Sequence, residues 1–156
     1  MRLTRFTDNA LRSLTYLALD PGATPTVGEV ASRMGMSEDH LLKVVQRMSR
    51  NGYVKTIRGR KGGMRLAKPA DQIVVGDVVR STEDNMALMP CFDVADSTSC
   101  PIAAACTLSG VFDEALQAFL GTLDRYTIAD LVTSRLDALR HLSGVAVAGV
   151  TPDVGP

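Results

Sequence analysis

The chain has 156 residues, and its 17 basic and 17 acidic side chains give a formal net charge of zero. Hydrophobic residues make up 46% and charged residues 22%, which is typical of a folded globular protein and argues against disorder. The apolar runs are too short to span a bilayer, and no secretory signal follows Met1. We therefore expect a cytoplasmic protein without a membrane segment.

The zero net charge hides an uneven distribution along the chain. Residues 1–80 hold 14 basic and 7 acidic side chains, whereas residues 81–156 hold 3 and 10. The segment 40–70 contains nine basic residues and no acidic one. Because an ordinary solvated face mixes both signs, a basic stretch of this density favours contact with nucleic-acid phosphates.

The spacing of apolar side chains predicts three helices at the start of the chain, over residues 8–19, 27–34 and 37–51. Thr7 is the predicted cap of the first helix, and Ser37 opens the third. Thr26 and Glu29 have the spacing of a capping box at the start of the second helix, and Gly35 stands where a left-handed C-cap ends it. The tight connection between the second and third helices predicts a helix-turn-helix.

A predicted β-hairpin follows the third helix. Residues 53–57 and 64–66 have the pattern of strands, and the glycine-rich turn 58–63 joins them. A hairpin directly after a helix-turn-helix is a wing, and the cations and glycines at its tip suit close approach to a sugar–phosphate backbone. The alternative is a nucleotide-binding loop, but the turn has no Walker lysine–threonine pair and no strand-to-helix context.

The second half of the chain predicts a short helix over 76–82, an irregular segment over 84–106 and then a long amphipathic helix. The apolar face of this helix repeats at helical spacing through Leu108, Val111, Phe112, Ala115, Leu116, Phe119 and Leu123. Such a helix suits packing against its twin in a homodimer, and packing onto its own domain is the alternative. A second amphipathic helix over 128–142 and a loose tail complete the chain.

All three cysteines, Cys91, Cys100 and Cys106, lie in or at the end of the irregular segment. An odd number of cysteines in one short segment argues against a disulfide framework and favours a metal or redox site. Gaps of eight and five residues are wider than the knuckles of structural zinc sites, and they suit a larger iron–sulfur core held by thiolates. Three thiolates leave one coordination position of the cluster without a protein ligand, and neither His40 nor His141 is placed in the sequence to supply it.

The chain resembles the iron–sulfur winged-helix transcription regulators of the IscR/NsrR type over about residues 1–145. The matching features are the N-terminal segment 1–8, the wing 57–63, the helix start 75–79 and the cysteine loop before a long helix. The resemblance implies a mainly α fold, a winged helix-turn-helix with a small β-hairpin wing and a long C-terminal dimerisation helix. It divides the chain into a DNA-binding domain (1–83), a cluster-binding loop (84–106), dimerisation helices (107–143) and a flexible tail (144–156).

Within this family the chain most resembles the nitric-oxide-responsive repressors. Members of the cluster-biogenesis branch use a histidine three residues after the last cysteine, where this chain has Ser109. Nitric-oxide-responsive members use an N-terminal aspartate of the other protomer, and Asp8 occupies that position. Arg12, one turn later, would hold Asp8 as an ion pair. The alternative for Asp8 is an ordinary acid in the first turn of a helix, where the dipole favours it.

The gap between Cys91 and Cys100 is wider than is usual in the family. Because a longer loop costs little closure entropy, the insertion is compatible with a cluster site. It leaves the cluster type open: a 4Fe–4S cluster is favoured, and a 2Fe–2S cluster is the alternative. A zinc- or thiol-based redox sensor without a cluster also remains an alternative.

These features together predict a DNA-binding transcriptional repressor that senses nitric oxide, or redox or iron status, through its cluster and has no catalytic residues. An iron-responsive or cluster-biogenesis regulator of the same family is the alternative, and an electron-transfer enzyme is less favoured because no nucleophile–base pair is present. We expect a homodimer on an inverted-repeat operator in double-stranded DNA, with the third helix in the major groove and the wing at the minor groove. The predicted DNA-contacting residues are Ser37, His40, Lys43, Arg47, Arg50, Arg58, Arg60, Lys61 and Gly62.

Overall fold

The computed structural model describes residues 2–59, 62–89, 92, 100–102, 105–133 and 136–144. Three predicted site residues, Arg60, Lys61 and Cys91, lie outside these ranges, as does most of the predicted tail. The helices are α1 (Arg5–Leu19), α2 (Val27–Met34), α3 (Glu38–Arg50), α4 (Val75–Thr82), α5 (Leu108–Leu123), α6 (Ile128–Thr133) and α7 (Leu136–Ser143). The strands are β1 (Val54–Ile57) and β2 (Gly63–Leu66). Among the described residues, no helix has the length and hydropathy that crossing a membrane requires.

The first helix begins earlier than the sequence pattern predicts. Its cap is Thr4, whose hydroxyl accepts a hydrogen bond from the Thr7 backbone N–H. Thr7, the predicted cap, lies inside the first turn and is fully buried. Both threonines suit a cap, and the choice depends on a tertiary contact, because Thr7 Oγ1 donates to the carboxylate of the distant Glu83.

The helix-turn-helix forms as predicted. Thr26 and Glu29 make a complete capping box at the start of α2, and Ser37 caps α3. Gly35 ends α2 with a φ of 63°, a left-handed conformation that glycine adopts without a steric penalty. The turn between the two helices is therefore specified by local interactions.

The wing is a two-stranded antiparallel hairpin in which Val54 faces Leu66 and Ile57 faces Gly63. Val54 and Met64 are buried, so one face of the hairpin packs on the core while the other faces solvent. A Cβ placed on Gly63 would lie 2.1 Å from the Thr24 carbonyl oxygen, so the absence of a side chain allows β2 to pack on the backbone before α2. The Met64 N–H donates to the Pro25 carbonyl at 2.8 Å and fixes this contact.

The hydrophobic core surrounds α1 and includes residues from α6, at the far end of the chain. Leu14, Leu41, Val78 and Ile128 are all fully buried in one cluster. The Ile128 N–H donates to the Ile73 carbonyl at 2.9 Å and joins the start of α6 to the segment before α4. Although the sequence assigns residues 107–143 to dimerisation, the α6 part of that segment thus packs on the winged domain.

The long helix α5 is attached at its C-terminal end and exposed over most of its length. Arg80 of α4 makes two hydrogen bonds to Asp124, at 2.7 and 2.6 Å, directly after α5. Within α5 only Leu120 is buried, while Leu108 and Val111 are 46% and 59% exposed. Within the described part of the chain, the N-terminal part of the apolar face of α5 is thus exposed, whereas Phe112, Leu116 and Phe119 are half-buried.

Candidate nucleic-acid interface and metal site

The exposed face of α3 is the candidate surface for DNA. Its buried positions, Leu41, Val44, Val45 and Met48, anchor the helix against the core. The opposite face presents the exposed side chains of Leu42, Lys43, Gln46 and Arg50. Lys43 and Arg50 are predicted contacts, and Gln46 lies on the polar face as its spacing predicts, although it was not among the predicted DNA contacts. Leu42, which the spacing assigns to the apolar face, is 46% exposed. The three- and four-residue spacing from Lys43 and Arg50 is the signal that identifies Gln46 as a member of this face.

A shallow groove of about 540 Å³ runs between α3 and the wing. Gln46, Ser49 and Arg50 line it on one side, and Thr56 of β1 lines it on the other. Amide, hydroxyl and guanidinium groups are those that read base edges and hold phosphates. The apolar side chains of Val27, Leu42 and Val45 line the same groove. The geometry therefore brings polar and apolar groups of α3 together with the first wing strand on one surface.

Two predicted contact residues, His40 and Arg47, are half-buried and contact Phe6 of α1. The Arg47 guanidinium lies 5.0 Å from the centre of the Phe6 ring, and its Nη1 is 2.7 Å from Asp84 Oδ1. The His40 ring lies 6.0 Å from that of Phe6. In this structure Arg47 and His40 thus make intramolecular contacts, although they share a helical side with Lys43.

The described basic residues of the wing are exposed. Arg58 is exposed next to the tip, and Gly62 is half-buried where its N–H closes the turn by donating to the Gly59 carbonyl at 2.8 Å. Lys55 and Arg65 are directly opposed across the strands, and both are exposed. Because like charges facing each other across strands repel, this arrangement suits a surface that binds an anion such as phosphate.

Two of the three cysteines are described, and both are free, half-buried thiols. Cys106 lies two residues before α5, and Thr107, the N-cap residue of this helix, makes no side-chain hydrogen bond that caps it. The first N–H groups of α5 therefore favour a negatively charged group nearby, such as a thiolate or a thiolate-bound cluster. Within the described ranges no three metal-ligand side chains lie together, and Cys91 is outside them.

Asp8 lies on the exposed side of the first turn of α1. Its Oδ2 is 3.6 Å from Arg12 Nη1, which confirms the predicted ion pair. Arg12 Nη2 also donates to the Met34 carbonyl, at 2.6 Å, where α2 ends in the helix-turn-helix. The Arg12 side chain therefore connects Asp8 to the turn that positions α3.

A groove of about 560 Å³ surrounds Asp8 and separates the start of α1 from the turn before α3. Three arginines line it, Arg2, Arg5 and Arg12, together with the apolar side chains of Leu3, Leu11 and Met36. The groove is thus cationic and partly apolar, and Asp8 is its only acid. Such a surface suits an acidic or anionic loop.

The segment after α4 is anchored to the same helix start by Glu83. Its Oε1 accepts hydrogen bonds from the Thr4 N–H at 2.8 Å and from the hydroxyls of Thr4 and Thr7. Thr7 lies 76 residues away in sequence, so this network was not predictable from local patterns. It fixes the point at which the predicted cysteine loop begins.

The described helix-turn-helix, its exposed polar helix and its basic hairpin define a winged-helix, DNA-binding transcription regulator, not an enzyme. The chain belongs to the Rrf2 family, whose sequence model, described as an iron-dependent transcriptional regulator, matches residues 3–134. It is 43% identical to the HTH-type transcriptional regulator NsrR of Bacillus subtilis over 143 residues, covering 91% of this chain and 97% of that protein. It is 46% identical to the NsrR of Geobacillus kaustophilus, covering 91% and 96%. The predicted family resemblance is thereby confirmed.

Solved structures show the same fold. IscR of T. potens superposes with a TM-score of 0.69 at 22% identity, over 86% of this chain and 88% of that one. CymR, the global cysteine regulator of B. subtilis, gives 0.68 at 23% identity, over 86% and 98%. These similarities confirm the predicted mainly α, winged-helix fold.

Proposed function

We propose that this chain is a homodimeric transcriptional repressor that binds an inverted-repeat operator and senses nitric oxide through an iron–sulfur cluster. The observation that carries the proposal is the polar, basic face of α3, which lies beside the wing and includes Lys43, Gln46 and Arg50. The identity to NsrR proteins along nearly the whole chain favours this branch of the family. The support for nitric oxide sensing and for the cluster comes from the resemblance to this branch of the family and from the cysteine loop.

On DNA, α3 enters the major groove and the wing follows the adjacent backbone. Lys43, Gln46 and Arg50 reach bases or phosphates from the exposed face, and Ser37 presents its hydroxyl at the helix start. Arg58, Arg60, Lys61 and Gly62 form the wing tip against the minor groove. His40 and Arg47 join this surface only when they leave Phe6.

The dimer forms through the apolar face of α5. Leu108 and Val111 are large, exposed hydrophobic side chains on a helix that buries only Leu120 within the described chain. Covering such a face with its equivalent in a second copy removes apolar area from water and produces two-fold symmetry. Two recognition helices related by that symmetry would match an operator with two half-sites.

Cys91, Cys100 and Cys106 would hold the cluster, and Asp8 of the other protomer would complete the set. Two of the three acidic residues of the cysteine loop, Asp93 and Asp96, suit the cationic groove around Asp8. The uncapped start of α5 suits the negative charge of the bound thiolates. When bound, the group would supply iron that nitric oxide attacks, and a hard carboxylate is its weakest expected ligand.

In this arrangement Asp8 and Arg12 link the sensor to DNA binding. A carboxylate engaged across the dimer interface fixes the first turn of α1, and Arg12 extends that constraint to the Met34 carbonyl at the helix-turn-helix. Release of Asp8 frees the first turn of α1 and breaks its contact with the cysteine loop of the other protomer. The relative placement of the two recognition helices then loosens, and the operator is released.

In vitro selection from random duplexes tests the DNA-binding part of the proposal. We expect the purified chain to enrich an inverted repeat with half-sites one or more helical turns apart, and its affinity to fall steeply with salt. Arg50→Ala is expected to weaken operator binding by about tenfold or more, since a base or phosphate contact contributes about 1–3 kcal/mol. Asp71→Ala, at an exposed acid elsewhere, is the control. Recovery of no common sequence would contradict the proposal.

Anaerobic purification tests the sensor. We expect the wild-type chain to be brown, with iron and sulfide bound and visible absorption that nitric oxide bleaches. Cys100→Ala should lose this absorption, Asp8→Ala should retain less iron than the wild type, and Asp71→Ala should match the wild type. A colourless wild-type chain without iron and sulfide would refute the cluster and favour the zinc or thiol alternative.

A further inference from the structure

An ion pair joins the recognition helix α3 to the segment that follows α4. Arg47 Nη1 lies 2.7 Å from Asp84 Oδ1, and the two residues are 37 positions apart in sequence. The Arg47 side chain is 37% exposed and that of Asp84 is 84% exposed. The contact is therefore a tertiary one at the protein surface, where solvent and DNA have access to it.

The aromatic ring of Phe6 also contacts the guanidinium of Arg47. The Arg47 Cζ lies 5.0 Å from the ring centre, within the range of a cation–π contact, and the His40 ring lies 6.0 Å from the same ring. The guanidinium is thus held at two points and points along the surface towards α1 and Asp84. This orientation withdraws the charge of Arg47 from the exposed face of α3.

Arg47 is nevertheless one helical turn after Lys43, whose side chain is exposed on the candidate DNA surface. A long arginine side chain that leaves Asp84 can therefore reach a phosphate beside the one that Lys43 contacts. Exposed ion pairs are weak, whereas an arginine–phosphate contact is charge-assisted and often bidentate. The exchange therefore favours the phosphate, and the ion pair with Asp84 lowers the affinity for DNA by no more than its own small stabilisation.

We propose that Asp84 is a positioning residue for DNA binding, and that its carboxylate competes with a DNA phosphate for Arg47. This inference rests on the proposed DNA-binding function. Asp84 directly follows Glu83, which Thr4 and Thr7 hold at the start of α1. The backbone is therefore anchored directly before Asp84, which is the first residue of the predicted cysteine loop.

A double-mutant cycle tests the proposal with the full chain and a fluorescent random-sequence duplex of about 30 bp, long enough for two half-sites. Binding is measured by anisotropy over a range of salt concentrations for the wild type, Asp84→Ala, Arg47→Ala and the double variant. Asp113→Ala removes another exposed acid, on α5, and serves as the control. Circular dichroism checks that each variant is folded.

We expect Asp84→Ala to strengthen binding by up to about fivefold, the range of an exposed ion pair, and to steepen the salt dependence by about one phosphate contact. In the Arg47→Ala background the same change should have no more effect than Asp113→Ala. An equal gain with and without Arg47 would show general charge repulsion and overturn the proposal, as would no gain in the wild type. A wild-type chain that binds no duplex would refute the proposed function as well, whereas binding without coupling refutes only the role of Asp84.

Discussion

At the scale of single residues, the structure shows that side chains with the same local signal have different roles. Thr4 and Thr7 both fit a helix cap, yet Thr4 caps α1 and Thr7 is buried against Glu83. Lys43 and Arg47 are both basic residues of α3, yet one is exposed and the other is paired with Asp84. In each pair a partner distant in sequence decides the role, because the energy of a polar group depends on what lies beside it.

The Arg80–Asp124 pair leads to a prediction about pH. The hydrogen bonds from Arg80 lower the pKa of Asp124, so the folded state binds this proton more weakly than the unfolded state does. The pair therefore stabilises the fold above the ordinary pKa of an aspartate, about 4, and this contribution disappears as pH falls through the lowered value. Asp124→Asn should lower the melting temperature by a few degrees near neutral pH.

The same measurement below that pH range should show a smaller difference between the Asp124→Asn variant and the wild type. Thermal unfolding followed by circular dichroism at several pH values provides the comparison, and Asp113→Asn on the exposed surface of α5 is the control. A difference that stays constant as the pH falls would contradict the assigned role of the carboxylate.

At the scale of elements, the helix-turn-helix and the wing are each built from local signals that agree with one another. The capping box of α2, the left-handed Gly35 and the Ser37 cap all act within a few residues. The wing depends on one longer contact, the packing of Gly63 against the backbone at Thr24 and Pro25. The close packing of β2 against the segment before α2 therefore depends on a residue without a side chain.

Gly63→Ala tests this contact. The added methyl group would collide with two backbone carbonyls, at 2.1 and 2.7 Å, which cannot rotate away as a side chain would. We expect a loss of roughly 1–3 kcal/mol in the free energy of unfolding, the usual cost of forcing extra atoms into a packed site, together with weaker DNA binding. Urea denaturation measures the first effect and anisotropy the second.

Gly121→Ala is the matched control, because a Cβ at this position in α5 meets no atom within 4 Å. Alanine there should leave the stability unchanged or raise it by about 0.5–1 kcal/mol, as is usual for this exchange in a helix. If Gly63→Ala were as harmless as Gly121→Ala, the wing would not depend on the close approach.

At the scale of the whole molecule, the described helices around α1 form one buried core, whereas the N-terminal part of α5 exposes apolar side chains. The core around α1 takes in α6, and Ile128 is fully buried there, whereas α5 exposes Leu108 and Val111. The winged domain thus completes its own core, and the apolar face of α5 remains for a partner. In the proposed function that partner is a second copy of the chain.

Val111→Asp tests the dimer. A carboxylate in the centre of an apolar interface pays a desolvation cost without a partner, so we expect the dimer dissociation constant to rise by about tenfold or more. The monomer should stay folded, since Val111 is 59% exposed in the single chain. Sedimentation velocity over a range of protein concentrations measures the effect.

Gln117→Asp introduces the same charge on another side of α5, at an exposed position, and should leave the dimer intact. A wild-type chain that sediments as a monomer at all concentrations would refute the proposed assembly. Equal behaviour of Val111→Asp and Gln117→Asp would place the interface elsewhere.

The sequence by itself determined the parts of this protein that depend on neighbours a few residues apart. The helical spacing of α3, the caps of α2, the hairpin turn and the family motifs are of this kind, and the structure and comparisons confirm them. The cysteine loop also follows from the sequence as a prediction. Local patterns succeed here because the backbone hydrogen bonds and the side-chain contacts within each segment favour the same helix or hairpin.

Only the tertiary structure decided which side chains meet across the chain. The pairing of Arg47 with Asp84, the burial of Thr7 against Glu83 and the return of Ile128 to the core join residues 37 or more positions apart. Spacing along one helix defines a face but does not say what packs against it. That partner depends on how the elements fill a common core, which is a property of the whole chain.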